Sequence, residues 1–475
     1  MRESNVTKRK QSIKYFVGDL LTGNVAFFLF NIARFHLLQS DSTVGNLWEF
    51  VFSKKLLLEQ LTIPLVMCGI FWLSGYYNQP LGKSRLQELL TTVFSTVVNT
   101  SIIYFGLMIN DVTGHRSLDY EMLLLLFLIL FICCYPVRIM LTQSALRNFR
   151  ERHWRLKTLI VGNSEIAHRT ALNMMTKSSR VSYEICGFVR IPGETDGKEE
   201  TGEVFELNRI REISQTYKVD NIIVIPQNID DKKILSLLYH LFPLDVSIRI
   251  APDTFSFVTS SIRLKDIFGE PFVDITSPAI SESSKNLKRS FDVLISLLLI
   301  TAFSPLFLVI AIMVKSSSPG QVIFCQERIG WKQRPFIMYK FRTMVEGAEK
   351  NGPELSSKED IRITKIGKFL RRYRLDELPQ FWNVVKGDMS IVGPRPERRY
   401  YIEKIIKEAP YYALVCQVRP GITSWGMVKY GYASCVMQMV ERTRYDLIYL
   451  SNMSLTLDLK ILIYTVKTVI SGKGV

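Results

Sequence analysis

The chain has 475 residues, 47% of them hydrophobic, and carries 60 Lys/Arg against 44 Asp/Glu for a formal net charge of +16. It is too long for one ordinary domain, and its apolar, basic balance points to a membrane protein facing anionic lipid or to anionic substrates. Nucleic acid is disfavoured because no RNP, zinc-finger or helix-turn-helix signature occurs, and seven scattered cysteines without a CxxC pair argue against a zinc site or a disulfide framework.

Four apolar stretches come first, near residues 13–35, 56–77, 86–108 and 120–141. Each approaches the ~20 residues that a helix needs to cross the hydrocarbon core. Lys/Arg placement sets their orientation. Lys8, Arg9, Lys10 and Lys14 surround the start of the first run, Lys83 and Arg85 lie in the second loop, and Arg147, Arg150, Arg155 and Lys157 follow the fourth. Lys54 and Lys55 blur the first loop, but the balance puts both ends of the bundle in the cytoplasm. Asp19 falls inside the first span, where it faces either the bundle interior or the interface.

Residues 156–260 read as α/β. A buried strand runs from Lys157 to a glycine turn at Gly162; a helix is expected over 165–175, strands over 185–189 and 221–225, a helix over 230–242 and a strand over 246–250. This alternation predicts a parallel, doubly wound, Rossmann-like sheet. A dinucleotide site would want GxGxxG after the first strand. The turn reads Gly162-Asn163-Ser164-Glu165-Ile166-Ala167, so one glycine stands and Glu165 brings negative charge where a phosphate would bind. The preferred reading is a regulatory or dimerising scaffold, which leaves a homodimer open.

A fifth apolar run covers residues 291–314 and is interrupted by Ser304-Pro305. Proline removes an amide donor and clashes with the preceding turn, so the helix kinks or breaks there. A kinked span and a re-entrant helix-break-helix both fit. Basic flanks at Lys285, Lys288, Arg289 and Lys315 favour the re-entrant form, with both ends in the cytoplasm.

Beyond it, residues 321–327 and 335–344 about Gly330 predict a β-hairpin. Lys340 and Arg342 are two apart and share a face on an extended strand, as a diphosphate grip or as a solvated basic face. Ile366, Phe369, Leu370 and Tyr373 fall at helical spacing, with Lys368, Arg371 and Arg372 on another side. Residues 361–400 hold ten Lys/Arg and four Asp/Glu, yet set Asp376 and Glu377 side by side. Arginine forks beside paired carboxylates suit phosphate chemistry, one carboxylate attacking and the other holding a divalent metal. In the structural alternative, Asp376 caps a helix that opens at Glu-Leu-Pro, or pairs with Arg372 at i,i+4. All five histidines precede residue 285, so a metal in this region would be a hard cation such as Mg²⁺.

YKFRTM (339–344), LDELPQFWNVVKGDMSIVGPRPE (375–397) and RPGIT (419–423), preceded by an apolar run broken at Ser-Pro, closely resemble the bacterial polyprenyl-phosphate sugar-1-phosphate transferases, the monotopic phosphoglycosyl transferases. The resemblance covers about residues 285–475, and the upstream part is similar to the long form of these enzymes. It implies three parts: a four-helix transmembrane domain (1–150), a Rossmann-like domain (151–280) and a C-terminal α/β catalytic domain (281–475) anchored by a re-entrant helix at 288–315. It also implies a cytoplasmic-face enzyme of the inner membrane, transferring sugar-1-phosphate from a UDP-sugar to undecaprenyl phosphate and releasing UMP, at the start of capsule, exopolysaccharide or O-antigen synthesis. By resemblance Asp376 is the nucleophile of a covalent phosphosugar intermediate, and Glu377 binds Mg²⁺. Lys340, Arg342, Arg371 and Arg395 bind phosphate, and Ser304 and Pro305 break the membrane helix. After RPGIT the chain departs from the usual Gly-Trp-x-Gln-Val-Asn-Gly pattern, reading Ser424-Trp425-Gly426-Met427-Val428-Lys429, so no sugar is assigned. The rivals are a nucleotide-sugar-sensing regulator, which forms no UMP, and an NAD-dependent sugar dehydratase, disfavoured by the missing glycines and by the lack of a clear Tyr-x-x-x-Lys unit.

Overall fold

The computed structural model describes the chain except residues 1–2, 39–45, 79, 82, 84, 109–115, 152–153, 177–181, 195–201, 228, 245, 252–272, 275–279, 349–351, 353, 355–359, 432 and 472–475. The final part of the expected 156–260 segment therefore lies outside the described residues. Two compact units result. One comprises Met1–Lys157, Asn173–Glu184 and Ser281–Asn286; the other comprises Thr158–Leu172, Ile185–Ile280 and Leu287–Val475.

The first unit is built on helices Glu3–Leu38, Lys54–Leu73, Arg85–Met108 and Arg116–Arg150. Each contains a stretch long and apolar enough to cross a membrane. Leu58, Leu61, Phe94 and Met140 are exposed on the outside of these helices, whereas Phe27, Phe30, Met67, Phe71, Leu126 and Leu130 form the interior. Outward apolar residues fit a bundle solvated by lipid. Asp19 points inward. Its carboxylate takes a two-pronged ion pair from Arg138, Nε to Oδ1 at 2.7 Å and Nη2 to Oδ2 at 2.8 Å, and a bond from the Tyr77 hydroxyl at 2.8 Å. Glu88 lies buried nearby, accepting from Thr142 Oγ1 at 3.1 Å and from Tyr76, with Lys83 Nζ at 3.8 Å.

The second unit holds a six-stranded sheet in the order β3-β2-β1-β4-β5-β6, formed by Leu156–Val161 (β1), Tyr183–Arg190 (β2), Val204–Glu206 (β3), Asn221–Val224 (β4), Ser247–Ile250 (β5) and Val273–Asp274 (β6). β1 pairs with β4, β4 with β5 and β2 with β3, all parallel, and only β6 is antiparallel among the described pairings. Helices Glu165–Thr176, Ile210–Thr216 and Asp231–Leu241 connect the strands. Gly162 has φ +133°, and a Cβ there would lie 2.3 Å from Ile225 O, so the turn after β1 requires glycine. The Glu194 carboxylate spans the ends of β1 and β4, accepting from Asn163 N at 3.0 Å and Gln227 N at 3.2 Å. Ala413 joins the core of this sheet, and Gln333 Nε2 donates to Tyr239 O at 2.7 Å, so sheet and C-terminal region share packing.

The fifth apolar run forms two helices, Glu282–Ala302 and Ser304–Ser317, bent by 64° at the break. Pro305 sits in the first turn of the second helix, where its missing amide costs nothing, and Ser304 Oγ donates to Thr301 O at 2.8 Å. The start of the first arm is tied to the C-terminal region. Lys288 Nζ meets Asp458 Oδ2 at 2.7 Å, Asp292 accepts from Ser390 Oγ at 2.6 Å and Ile391 N at 3.2 Å, and Arg289 Nη1 donates to Val384 O at 2.8 Å. The expected hairpin is present as Ile323–Ile329 (β7) against Pro335–Phe341 (β8). Ser390–Val392 (β9) pairs in parallel with Gly421–Thr423 (β10). That pairing joins the two distant motifs: Gly421 N donates to Pro394 O at 2.8 Å, and a Cβ at Gly393 would strike Arg419 O at 2.4 Å. The last helix, Leu455–Ile470, buries Asp458 and Ile461 and exposes Leu459, Ile463, Val466 and Ile470.

Candidate active site

Asp376 and Glu377 lie on a single 3-10 turn, Leu375–Glu377, between helices Lys365–Arg372 and Gln380–Lys386. Thr364 caps the first helix by accepting from Gly367 N at 2.9 Å, and a Cβ at Gly367 would lie 2.1 Å from Thr343 O. Glycine there lets the helix lie directly on the chain leaving β8. Arg374 then takes φ +54°, a left-handed conformation costly for any residue with a Cβ, and so turns the chain into the carboxylate pair. On the far side Asn383 donates to Ile337 O at 2.7 Å and accepts from Tyr339 N at 3.1 Å, fixing the second helix to β8.

Both carboxylates are buried. Lys340 Nζ donates to Glu377 Oε1 at 2.8 Å, and Arg395 Nη2 lies 3.4 Å from the same oxygen. Arg371 Nε donates to Thr343 Oγ1 at 2.9 Å, and its charge acts on Asp376. Asp376 accepts no hydrogen bond among the described residues. It caps no helix, since Pro379 holds the N-cap position of Gln380–Lys386, and it makes no ion pair with Arg372. The expected pair of Lys340 and Arg342 is split. β8 ends at Phe341, so the extended alternation stops before Arg342. The Arg342 guanidinium instead donates to Ser318 O at 2.7 Å, just past the Ser304–Ser317 helix, where a cation complements the helix dipole.

Burial pushes the Asp376 carboxyl up to about 6 against the pull of Lys340, with Glu377 adding to the rise and Arg371 and Arg395 opposing it. Burial thus outweighs the nearby cations, yet Asp376 remains largely ionised at neutral pH. For Glu377, burial is outweighed by Lys340, Arg395 and Arg374, which hold it well below the usual carboxylate range. Burial lowers Lys340, with Arg395 acting the same way and Glu377 opposing. The result is one permanently anionic glutamate beside an aspartate with unused oxygens.

Sequence reasoning missed Thr343, Arg374, Asn383 and Met427. Met427 Sδ lies 3.1 Å from Arg395 Nη1, so the variable stretch after RPGIT reaches a predicted phosphate-binding arginine. Lone contacts of this kind leave no periodic mark on a sequence.

A family described as Bacterial sugar transferase matches residues 283–472. The UDP-N-acetylgalactosamine-undecaprenyl-phosphate N-acetylgalactosaminephosphotransferase of Aeromonas hydrophila is 43% identical over 188 residues, 40% of this chain and 44% of that protein. The UDP-glucose:undecaprenyl-phosphate glucose-1-phosphate transferase of Escherichia coli K12 is 36% identical over 262 residues, 55% of this chain and 56% of that protein. The chain thus aligns with about half the length of these two relatives. A protein of the same name from Klebsiella pneumoniae is 30% identical over 425 residues, 88% of this chain and 89% of that protein. The chain belongs to the bacterial sugar transferase family. Ser304, Pro305, Lys340, Arg342, Arg371, Asp376, Glu377 and Arg395 all fall within the matched residues.

Proposed function

We propose that the chain transfers sugar-1-phosphate from a UDP-sugar to undecaprenyl phosphate, giving the undecaprenyl-diphosphate sugar and UMP, as the initiating step of capsule, exopolysaccharide or O-antigen synthesis. The observation that carries the reading is Asp376: buried, without a hydrogen bond among the described residues, beside Glu377 and within the field of Lys340, Arg371 and Arg395. The names of the relatives support the same reaction class.

In the proposed course an Asp376 oxygen attacks the sugar-bearing phosphorus of the donor. The P–O bond of the diphosphate breaks, UMP leaves, and an aspartyl-phosphosugar ester remains. A phosphate oxygen of the lipid then attacks the same phosphorus and frees Asp376. One diphosphate linkage replaces another, so no further energy source is needed. An anionic nucleophile approaches an anionic diphosphate only if fixed cations offset the repulsion, the role assigned to Lys340, Arg371 and Arg395.

Mg²⁺ takes hard oxygen ligands and is commonly held by one or two carboxylates together with substrate phosphates. Adjacent carboxylates fit such a shared site, and among the described residues no group of three ligating side chains offers a closed protein cage. Glu377 would hold the ion, which when bound supplies charge neutralisation to the diphosphate.

Geometry also supports a re-entrant anchor. The apolar part of the first arm, residues 291–302, is ~18 Å long at 1.5 Å per residue. A symmetric bend of 64° tilts each arm ~32° from the membrane plane, so the arm reaches ~10 Å deep, within one leaflet of a ~30 Å core. Basic residues on both flanks support a cytoplasmic-face site at the inner membrane.

The test incubates the full chain with UDP-sugars, Mg²⁺ and undecaprenyl phosphate and measures UMP. Asp376→Asn is expected to abolish UMP release and the mass adduct on the protein; ordinary turnover by that variant would sink the covalent route, and no UMP from any donor would favour the regulator.

A further inference from the structure

A cleft of about 410 Å³ opens at the segment that follows the carboxylates. Ile300 and Phe307 line it from the two arms on either side of the helix break, Tyr339 from β8, and Leu378, Pro379 and Trp382 from the chain just past Glu377. These side chains are apolar apart from the tips of Tyr339 and Trp382. At one end the lining runs on along the chain to the charged site: Leu378 follows Glu377 directly, and Tyr339 precedes Lys340, whose side chain takes the other face of β8 and bonds Glu377 at 2.8 Å. The other end is walled by helices apolar enough to enter a bilayer. Trp382 is 55% exposed, a large apolar surface left open beside a charged centre.

Resting on the transferase reading above, the geometry points to this cleft as the seat of the first isoprene units of the polyprenyl phosphate acceptor, with Trp382 as its outer wall. The charged end takes the lipid phosphate and the apolar end the adjoining hydrocarbon. The C–H face of the donor sugar can also stack on the Trp382 indole and, like the uracil ring, would place the loss on the donor burst. That is the outcome that the test must separate. A tail entering from lipid exchanges one apolar surroundings for another, so the cleft gains little hydrophobic energy. Its contribution is orientation: it fixes where the phosphate stops relative to Asp376. Branched isoprene units should therefore be distinguished from straight alkyl chains.

The full chain in lipid nanodiscs is assayed in two halves: the UMP burst from the donor without acceptor, and steady turnover with undecaprenyl phosphate. Trp382→Ala and Phe307→Ala are expected to lower kcat/KM for undecaprenyl phosphate about tenfold, the scale on which misplacement of a reacting group is felt. The loss should be confined to the acceptor half, and the preference for undecaprenyl phosphate over hexadecyl phosphate should shrink. Trp382→Phe, which keeps an aromatic wall, should restore most of it. Unchanged acceptor kinetics in both alanine variants, or a loss that falls on the donor burst, overturns the assignment. A photoreactive prenyl phosphate, read by peptide mapping without any turnover, should label residues 378–382 or the segments about Ile300 and Phe307. Labelling elsewhere overturns the assignment even if the transferase reading fails.

Discussion

Asp446 shows how much a single buried charge sets the behaviour of the catalytic region. It accepts from Gly426 N at 3.0 Å, in the variable stretch after RPGIT. Burial pushes its carboxyl up to about 6, against the pull of Arg442 and the Gly426 amide. An unfolded aspartate titrates near 3.9, so the folded state binds the extra proton between about pH 4 and 6, and stability falls as pH rises through that window. Above it, holding Asp446 ionised costs roughly 3 kcal/mol, from ~2 pKa units at 1.36 kcal/mol each. Asp446→Asn keeps an acceptor for Gly426 and removes the titration. The variant should therefore be more stable than the parent by up to ~3 kcal/mol at pH 7–8, with the gap closing towards pH 4, as read by denaturation in detergent across that range. A gap independent of pH would mean that Asp446 is not buried as an anion. Glu194 makes a related point. Where a dinucleotide phosphate would receive amides from the ends of β1 and β4, the chain's own carboxylate receives them from Asn163 and Gln227. The incomplete glycine fingerprint after β1 is thus accompanied by an internal anion at the strand ends.

At the scale of elements, the first and fourth membrane helices are joined by the Asp19–Arg138 pair, both partners 1% exposed. Such a pair is costly to break from one side, since the remaining charge is left unpaired in an apolar surrounding, and far less costly to remove whole. Arg138→Met should destabilise by ~3–5 kcal/mol, while Asp19→Leu with Arg138→Met should recover most of that loss in thermal melts of the full chain. Additive losses would show that the two side chains act separately. Asp19 was visible in the sequence as an anion inside an apolar run, but its partner lay 119 residues away, and nothing local marks Arg138 as inward-facing. The same division runs through the whole structure. Four spans, the β1 turn, the break at Ser304-Pro305 and the β7–β8 hairpin follow from hydropathy, proline chemistry and alternation, and could be read directly. The short strands Val204–Glu206 and Val273–Asp274 could not, because two or three residues carry no periodicity. At the site, the adjacency of Asp376 and Glu377 was legible. The turning away of Arg342 was not, since it depends on where β8 stops and on a helix end some 24 residues earlier.

For the whole molecule, the decisive question is on which side of the bilayer residues 315–475 lie. Residues 291–314 would cross the membrane if straight, and would then carry Asp376 away from any nucleotide-activated sugar in the cytosol. The 64° bend and the ties of Lys288, Arg289 and Asp292 to β9 and the neighbouring C-terminal helices argue otherwise. Those ties hold the entry of the first arm against β9, and β9 leads to Arg395, so the bent helix pair and the charged site are packed together. A crossing second arm would have to bring β7 back through the hydrocarbon to pair with β8 beside that same strand, leaving backbone groups unsatisfied in lipid. Single cysteines at Lys285 and Ser316, in a background from which all seven native cysteines have been removed, give the measurement. Both should react with an impermeant maleimide in inside-out vesicles and neither in right-side-out vesicles. Labelling of the two from opposite sides would turn the bent pair into a span and place the carboxylates beyond the reach of a cytosolic donor.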